Sequence, residues 1–387
     1  MIHRIKRTLI NNVKNIPGWR TNRKIIVFEC DDWGGIRMPS AKIREEMISK
    51  GLNISESRFD KYDTLANIDD FERMFEVLSA FTDRSGNPAV ITPLVVVANP
   101  DFEQIREHDF STYSFEPFRD TLNRYYPGQD VFRMWQNGIS KGLFMPELHG
   151  RDHISVPFWM QKLQEGDSDL RSAFDCGYVS LEVPGVPAPV SGFRAEYYFE
   201  SEAQKDELKQ AIFDGVTLFT DLFGRKPNAF VPGNGIFHPE FDEVVASSGA
   251  EFLNVFNRSP YPAASGQLKY RRFVSGNRKK VTYYTRNCAF EPSENGYGGI
   301  EDTLAQISAS FRWGKPAIIS SHRVNFVGSI DESIREFGLK ELRQLLQEIQ
   351  GHWPDVEFMS TGNMLNEMQP HIKTRRISNL TKIETNI

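Results

Sequence analysis

Lys24-Ile25-Ile26-Val27-Phe28-Glu29-Cys30-Asp31-Asp32-Trp33-Gly34-Gly35 is an apolar, β-branched run that turns acidic without a break and then meets two glycines. Such a run predicts a strand whose far end carries carboxylates into a turn. Ala89 to Ala98 (AVITPLVVVA) reads as a second, buried strand despite Pro93. Between them, Ile68 to Phe81 has helical spacing, with Asp69 and Asp70 placed early, where a helix dipole favours acids. Leu143 to Met145 is a short strand that ends at Glu147-Leu148-His149. Downstream, helices are expected over Ser201 to Phe223 (stopped by Gly224), Pro239 to Ser248, Glu301 to Trp313 and Asp331 to Gln350. Strands are expected over Ala229 to Val231, Glu251 to Phe256, Lys280 to Thr285, Ala317 to Ser320 and Val356 to Met359, with a loop from Ser259 to Asn277. Strands alternating with helices predict an α/β fold with a parallel sheet, open or closed into a barrel.

The chain of 387 residues, 40% apolar and 25% charged, is long enough for a large core and too ordinary in composition for a disordered, collagenous or coiled-coil protein. Its net charge of −5 gives no electrostatic footprint for nucleic acid. Cys30, Cys176 and Cys288 form no CxxC pair, which suits a reducing compartment, and the protein reads as cytoplasmic. No stretch approaches the ~18 apolar residues of a membrane span. The first 24 residues are a separate feature: seven basic residues from Arg4 to Lys24, no acid, and Ile2, Ile5, Leu9, Val13 and Ile16 near one helical face. Either a basic amphipathic helix touching an anionic membrane from the inner side, or a helix packed on the domain or a partner, fits that pattern. The domain layout is a basic arm over 1–24, one barrel over 25–371 with an aromatic, polar insertion near 101–140, and a polar tail over 372–387.

In α/β folds ligands gather at the carboxyl ends of strands, and four polar clusters fall at expected strand ends. Asp31-Asp32 can supply one metal-binding carboxylate and one facing a bound water, although the same pair also suits an Asx-turn or helix cap. His149 and His153, four apart, would share a helix face and reach one ion; with a carboxylate they form a recurrent catalytic metal set. Pro232-Gly233-Asn234-Gly235 is a turn that bares backbone N–H groups, fit for an oxyanion or simply a turn. His322, after Ile318-Ile319-Ser320-Ser321, is placed as a general acid or base, or as a satisfied core histidine.

In this order the clusters resemble the polysaccharide deacetylase (NodB-homology) family, over roughly Ile25 to Met359. The resemblance implies a distorted (β/α) barrel of the glycoside hydrolase/deacetylase type, with fewer strands than a TIM barrel. It implies Asp31 as the base and Asp32, His149 and His153 as ligands of one divalent ion. Zn²⁺ is the simplest choice, with Co²⁺, Ni²⁺, Mn²⁺ or Fe²⁺ as alternatives. His322 is then the acid, and Pro232, Gly233 and Asn234 form a groove motif. Two departures stand out: Gly150 replaces a Ser or Thr, and the arginine expected ahead of the Pro-Gly motif is missing. Arg151, Arg194, Arg286 and Arg323 are the candidates to stand beside Asp31 in its place.

The expected activity is removal of an N-acetyl group from an amino sugar in a poly- or oligosaccharide or a sugar precursor, with Trp33, Trp135 or Phe326 as sugar-facing aromatics. Amide or imide hydrolysis on a non-sugar is the enzymatic alternative. A glycosidase using Glu147, Asp152, Glu196 or Glu291 and an inactive carbohydrate-binding barrel complete the set.

Overall fold

Every residue of strand β1 (Ile25–Trp33) is buried, as expected of a strand covered on both faces. In the computed structural model, which describes residues 2–182, 190, 192–263 and 265–369, β1 is the centre of one all-parallel sheet. Its other strands are β2 (Ile91–Val95), β3 (Glu147–Leu148), β4 (Ala229–Phe230), β5 (Phe252–Asn254), β6 (Thr282–Tyr284), β7 (Cys288–Ala289), β8 (Ala317–His322) and β9 (Glu357–Phe358). Their order is β6-β5-β4-β3-β2-β1-β8-β7, and β9 pairs with the start of β1.

That order requires curvature. β6 and β7 are the two ends of an eight-strand path, yet Tyr284 and Cys288 are joined by a connection that extends to at most ~14 Å. Laid flat, the path would be roughly 34 Å wide at ~4.8 Å per strand spacing. The sheet therefore curls into a distorted (β/α) barrel, open along a seam between β6 and β7. The path holds eight strands rather than fewer; the irregularity lies in the unclosed seam and in strands as short as two residues.

Helices α1 (Ile2–Val13), α2 (Ile68–Ser79), α3 (Lys205–Phe223), α4 (Phe241–Ser248), α5 (Ile300–Arg312) and α6 (Glu332–His352) include those expected from the periodicity. Asn67 and Asp70 form a capping box at the start of α2, and α3 stops at Gly224 in the left-handed conformation (φ 67°). The main core joins Phe28, Ile91, Leu148, Phe230, Leu253 and Ile319 of the sheet to Leu78, Phe219 and Leu342 of the helices. A second cluster, with Met38, Trp159, Phe174, Tyr178 and Phe193, backs one wall above the carboxyl ends of the strands.

Three expectations shift. The strand expected at 143–145 forms at Glu147–Leu148, leaving Phe144 as an isolated bridge to Ile91. The expected loop at 259–277 contains an antiparallel hairpin, Arg258–Pro262 with Leu268–Arg272; a two-stranded ribbon has outer edges that tolerate Pro260 and Pro262. The stretch near 101–140 folds into short helices, and its Phe118, Leu122 and Trp135 enter the main core. None of its residues lines the cavity described below. The tail over 372–387 lies outside the described residues.

Candidate active site at the carboxyl ends of the strands

The pairing of β1 with β8 runs from Ile26 opposite Ala317 to Asp31 opposite His322, so one register sets those two residues side by side. At the next residue the strand breaks step. Asp32 has φ 72°, and the register with β2 shifts between Cys30 and Trp33. Alternation would send Asp31 and Asp32 to opposite faces; the left-handed residue lets both carboxylates reach one cavity. The same kink turns Trp33 away. It is 1% exposed and packs against Phe71, Trp135 and Phe144, so the sugar-facing role expected of it is overturned. Trp135 and Phe326 are likewise core residues, and the aromatics that do line the cavity are Phe59 and Phe256.

Asp32, His149 and His153 converge, with one oxygen or nitrogen from each within 4.8 Å of the others. Asp32 Oδ1 is 3.7 Å from His149 Nε2 and 3.4 Å from His153 Nε2. His149 Nδ1 lies 2.8 Å from the Val231 carbonyl; donating there leaves the Nε2 lone pair facing Asp32. Burial pushes the His153 imidazole well below its usual range against the pull of Asp32, with His149, Arg37 and Arg194 adding to the effect, whereas at His149 burial is outweighed by Asp32 and Asp31, which raise it. Burial opposes charge on Asp32 too, but Arg37 at 3.2 Å and the two imidazoles hold its carboxyl well below the usual range. One carboxylate and two imidazole nitrogens converging in one pocket are the donor set a divalent ion needs, so these residues fit the group that the motif implies.

The histidines do not meet through a helix. Residues 149–153 form an irregular turn with Gly150 at φ 83° and His153 at φ 53°. Glu196 holds this turn, accepting the Arg151 N–H at 2.8 Å. A Cβ on Gly150 would stand 1.8 Å from Glu196 Oε2, so the carboxylate fills the space a serine or threonine side chain would take. Burial and the neighbouring Asp152 raise Glu196 to about 7. Gly233 has a related part: a Cβ there would lie 3.0 Å from the His153 ring, while Pro232 and Asn234 line the cavity.

Of the four arginines, Arg286 stands beside Asp31. Its two Nη atoms reach the two Asp31 oxygens at 2.8 Å each, and its Nε reaches Glu29 at 2.6 Å. The other three are corrected by their own partners. Arg151 pairs with Asp152 and Asp214, Arg323 is fully buried against Asp63, and Arg194 bonds Ser180 and the Ile36 carbonyl. His322 has Nδ1 2.6 Å from Glu291 and Nε2 3.6 Å from Asp31. Arg58 and Asn325 hold the second oxygen of Glu291, at 2.8 and 2.9 Å. Burial works against the imidazolium, yet Glu291, then Asp31 and Asp32, lift His322 to about 9.

Asp31, Asp32, His149, His153 and His322 thus meet in one cavity of 660 Å³, together with Glu291 and Arg286. Glu147, Asp152 and Glu196, the other carboxylates a glycosidase would have drawn on, lie outside it. Sequence reasoning missed the parts of Glu291, Glu196 and Glu29. For Glu291 a signal existed, since it follows the short apolar run Cys288-Ala289-Phe290 as the other site residues follow theirs.

The fit around Gly150 gives an expected outcome. Gly150→Ser should lower the thermal midpoint and weaken metal binding, because the side chain must displace Glu196 and meets a positive φ. An unchanged melt and unchanged metal stoichiometry would refute this account of the turn.

Neither a protein-family model nor a curated protein matches the sequence. Solved structures similar to this chain include a putative polysaccharide deacetylase from Mycobacterium smegmatis, at 11% identity and TM-score 0.43, covering 92% of this chain and 94% of that one. A probable polysaccharide deacetylase from Pseudomonas aeruginosa PAO1 matches at 11% identity and TM-score 0.42, over 88% and 90% of the two chains. PuuE allantoinase matches at 12% identity and TM-score 0.40, over 89% and 90%.

Proposed function

We propose that the protein is a metal-dependent hydrolase that removes an N-acetyl group from an amino sugar in a poly- or oligosaccharide or a sugar precursor. One observation carries the reading: Asp31 and His322 face each other across one strand register beside Asp32, His149 and His153. Those three residues would hold one divalent ion, most simply Zn²⁺. When bound, such an ion polarises the acyl carbonyl and lowers the pKa of a water toward neutrality.

The chain's own groups do the rest. Asp31, clamped on both oxygens by Arg286, is oriented to take a proton from the attacking water. His322 donates Nδ1–H to Glu291, which points Nε2 toward the reacting centre, from where it protonates the departing amine. In the Pro232-Gly233-Asn234 turn Gly233 lies against the His153 ring, and its backbone N–H would be the donor to a developing oxyanion. An inactive binder would have no need of an acid, a base and an orienting partner for each.

Elemental analysis of protein purified without added metal should find about one equivalent of a divalent transition metal, lost when Asp32, His149 and His153 are all changed to alanine. Asp31→Asn should keep the metal and slow acetate release from N-acetyl sugars by ~10²–10⁴. No metal in either protein, or full activity in Asp31→Asn, would sink the mechanism.

The pH dependence follows from the His322–Glu291 pair. His322 is raised, so the acid form is present at neutral pH and is lost as pH climbs through its folded value. A bound dication lowers that value, but the contribution of Glu291 keeps its sign. Glu291→Gln should therefore move the alkaline limb of the rate profile to lower pH; a limb that stays in place contradicts the assignment.

The reading also puts the protein in the cytoplasm, in contact with an anionic membrane. The three cysteines are buried and unpaired, which supports a reducing compartment. Among described residues, α1 docks on α5 through Arg7 to Asp302 and Lys14 to Gln306. That leaves Leu9, Ile10 and Val13 at 62, 53 and 52% exposure, with Lys6 on the same face and Arg20 exposed close by. No acid precedes Glu29 in a chain that is net negative, so the positive end is drawn to an anionic surface and two such faces repel each other. Vesicles containing phosphatidylglycerol should retain the protein better than phosphatidylcholine alone. Leu9→Asp with Val13→Asp should abolish the difference; binding that is equal on both lipids, or that survives the substitutions, overturns it.

A further inference from the structure

Four arginines line the cavity, and three are matched to carboxylates: Arg37 to Asp32, Arg58 to Glu291, and Arg286 to Asp31 and Glu29. Arg194 is not. It is 7% exposed, its Nε bonds the Ser180 hydroxyl and its Nη2 the Ile36 carbonyl at 3.1 Å. Among the described residues no carboxylate comes within ion-pair distance of it. Burial and the like charge of Arg37 pull its guanidinium down to about 9. A buried cation whose nearest acids, Asp60 and Asp32, act on it only through space and not in contact is costly unless something anionic completes it.

The neighbouring acids do not fill that place. Asp60 is engaged by the Tyr178 hydroxyl at 2.8 Å and the Ser57 hydroxyl at 2.6 Å. Glu182 and Glu294 sit on the exposed rim, where they remain hydrated. The free edge of a planar guanidinium, with a second arginine beside it, has the geometry that phosphate and carboxylate groups accept.

We infer that the Arg194 wall of the cavity is an anion subsite, with Arg37 as its neighbour, that binds a phosphate or carboxylate carried by the substrate. This rests on the hydrolase reading of the cavity and narrows it: the substrate is an anionic N-acetyl sugar rather than a neutral glycan. Arg194 binds and orients the charged group, and no bond forms or breaks at it.

The test uses the metal-loaded Asp31→Asn protein, so that ligands persist, and isothermal titration with N-acetylglucosamine, its 1-phosphate, its 6-uronate and inorganic phosphate. The phosphate or the uronate should bind at least tenfold more tightly than the neutral sugar, the tighter of the two identifying the anion. Arg194→Gln should remove that preference, and Arg194→Lys should retain part of it. Equal binding of charged and neutral sugars in the parent overturns the inference without need of any variant. So does a preference that survives Arg194→Gln, since the anion would then be held elsewhere, for instance by the metal. Anion preference with no acetate release from any sugar by the unsubstituted enzyme would instead defeat the hydrolase reading and leave the subsite standing.

Discussion

The bridge that Arg286 makes between Glu29 and Asp31 holds the rest of the arrangement in place. Two buried carboxylates one turn of the pleat apart on the same strand would repel each other, and the guanidinium between them neutralises both. Glu29 also accepts the hydroxyls of Tyr284 and Thr361, so it ties β1, β6 and the start of the segment at 361–369 together inside the barrel. Arg286 itself lies in the connection that crosses the seam between β6 and β7. The unclosed side of the barrel is thus secured by the same ion pairs that orient the proposed base. Breaking such a buried pair on one side leaves an unmatched charge, which costs on the order of 3–5 kcal/mol.

Around that bridge the site is built in layers. Asp31 and His322 come from adjacent strands in register, each steered by a partner that is itself held: Asp31 by Arg286, His322 by Glu291. Glu291 is fixed by Arg58 and Asn325. Asn325 is in turn pinned from behind by α6, where a Cβ on Gly338 would stand 1.8 Å from the Asn325 carbonyl. Packing of a helix on the outside of the barrel thereby sets the direction of an imidazole inside it.

Strand exits were the legible part of the sequence. An apolar run followed at once by Asp, His or Pro-Gly marks a side chain at a barrel mouth, and Asp31, Asp32, His149, His153 and His322 all lie there. What stayed hidden depends on long-range geometry. Arg286 could not be told from Arg151, Arg194 and Arg323, because its partner Asp31 is 255 residues away. Trp33 was misplaced because nothing in the sequence announces a left-handed aspartate before it. The i, i+4 spacing of His149 and His153 suited a helix, and only Gly150 hinted at a turn. Glu291 was overlooked because a two-residue strand is too short to carry a period.

The order of the strands has a consequence for how such a protein comes into being. The pair at the centre of the site joins the first strand of the barrel to the eighth, so a chain being made from its amino end carries Asp31 long before Arg286 and His322, whereas Asp32 has Arg37 only five residues on. The interval must be bridged by a sheet that grows strand by strand, β1 to β6, with a free edge and with Glu29 and Asp31 still lacking Arg286. Contacts of this sequence separation are slow to form, since the entropy of closing the loop is lost before they return anything. The complete cluster therefore comes together only with the threading of β8 beside β1, and no partial barrel possesses it.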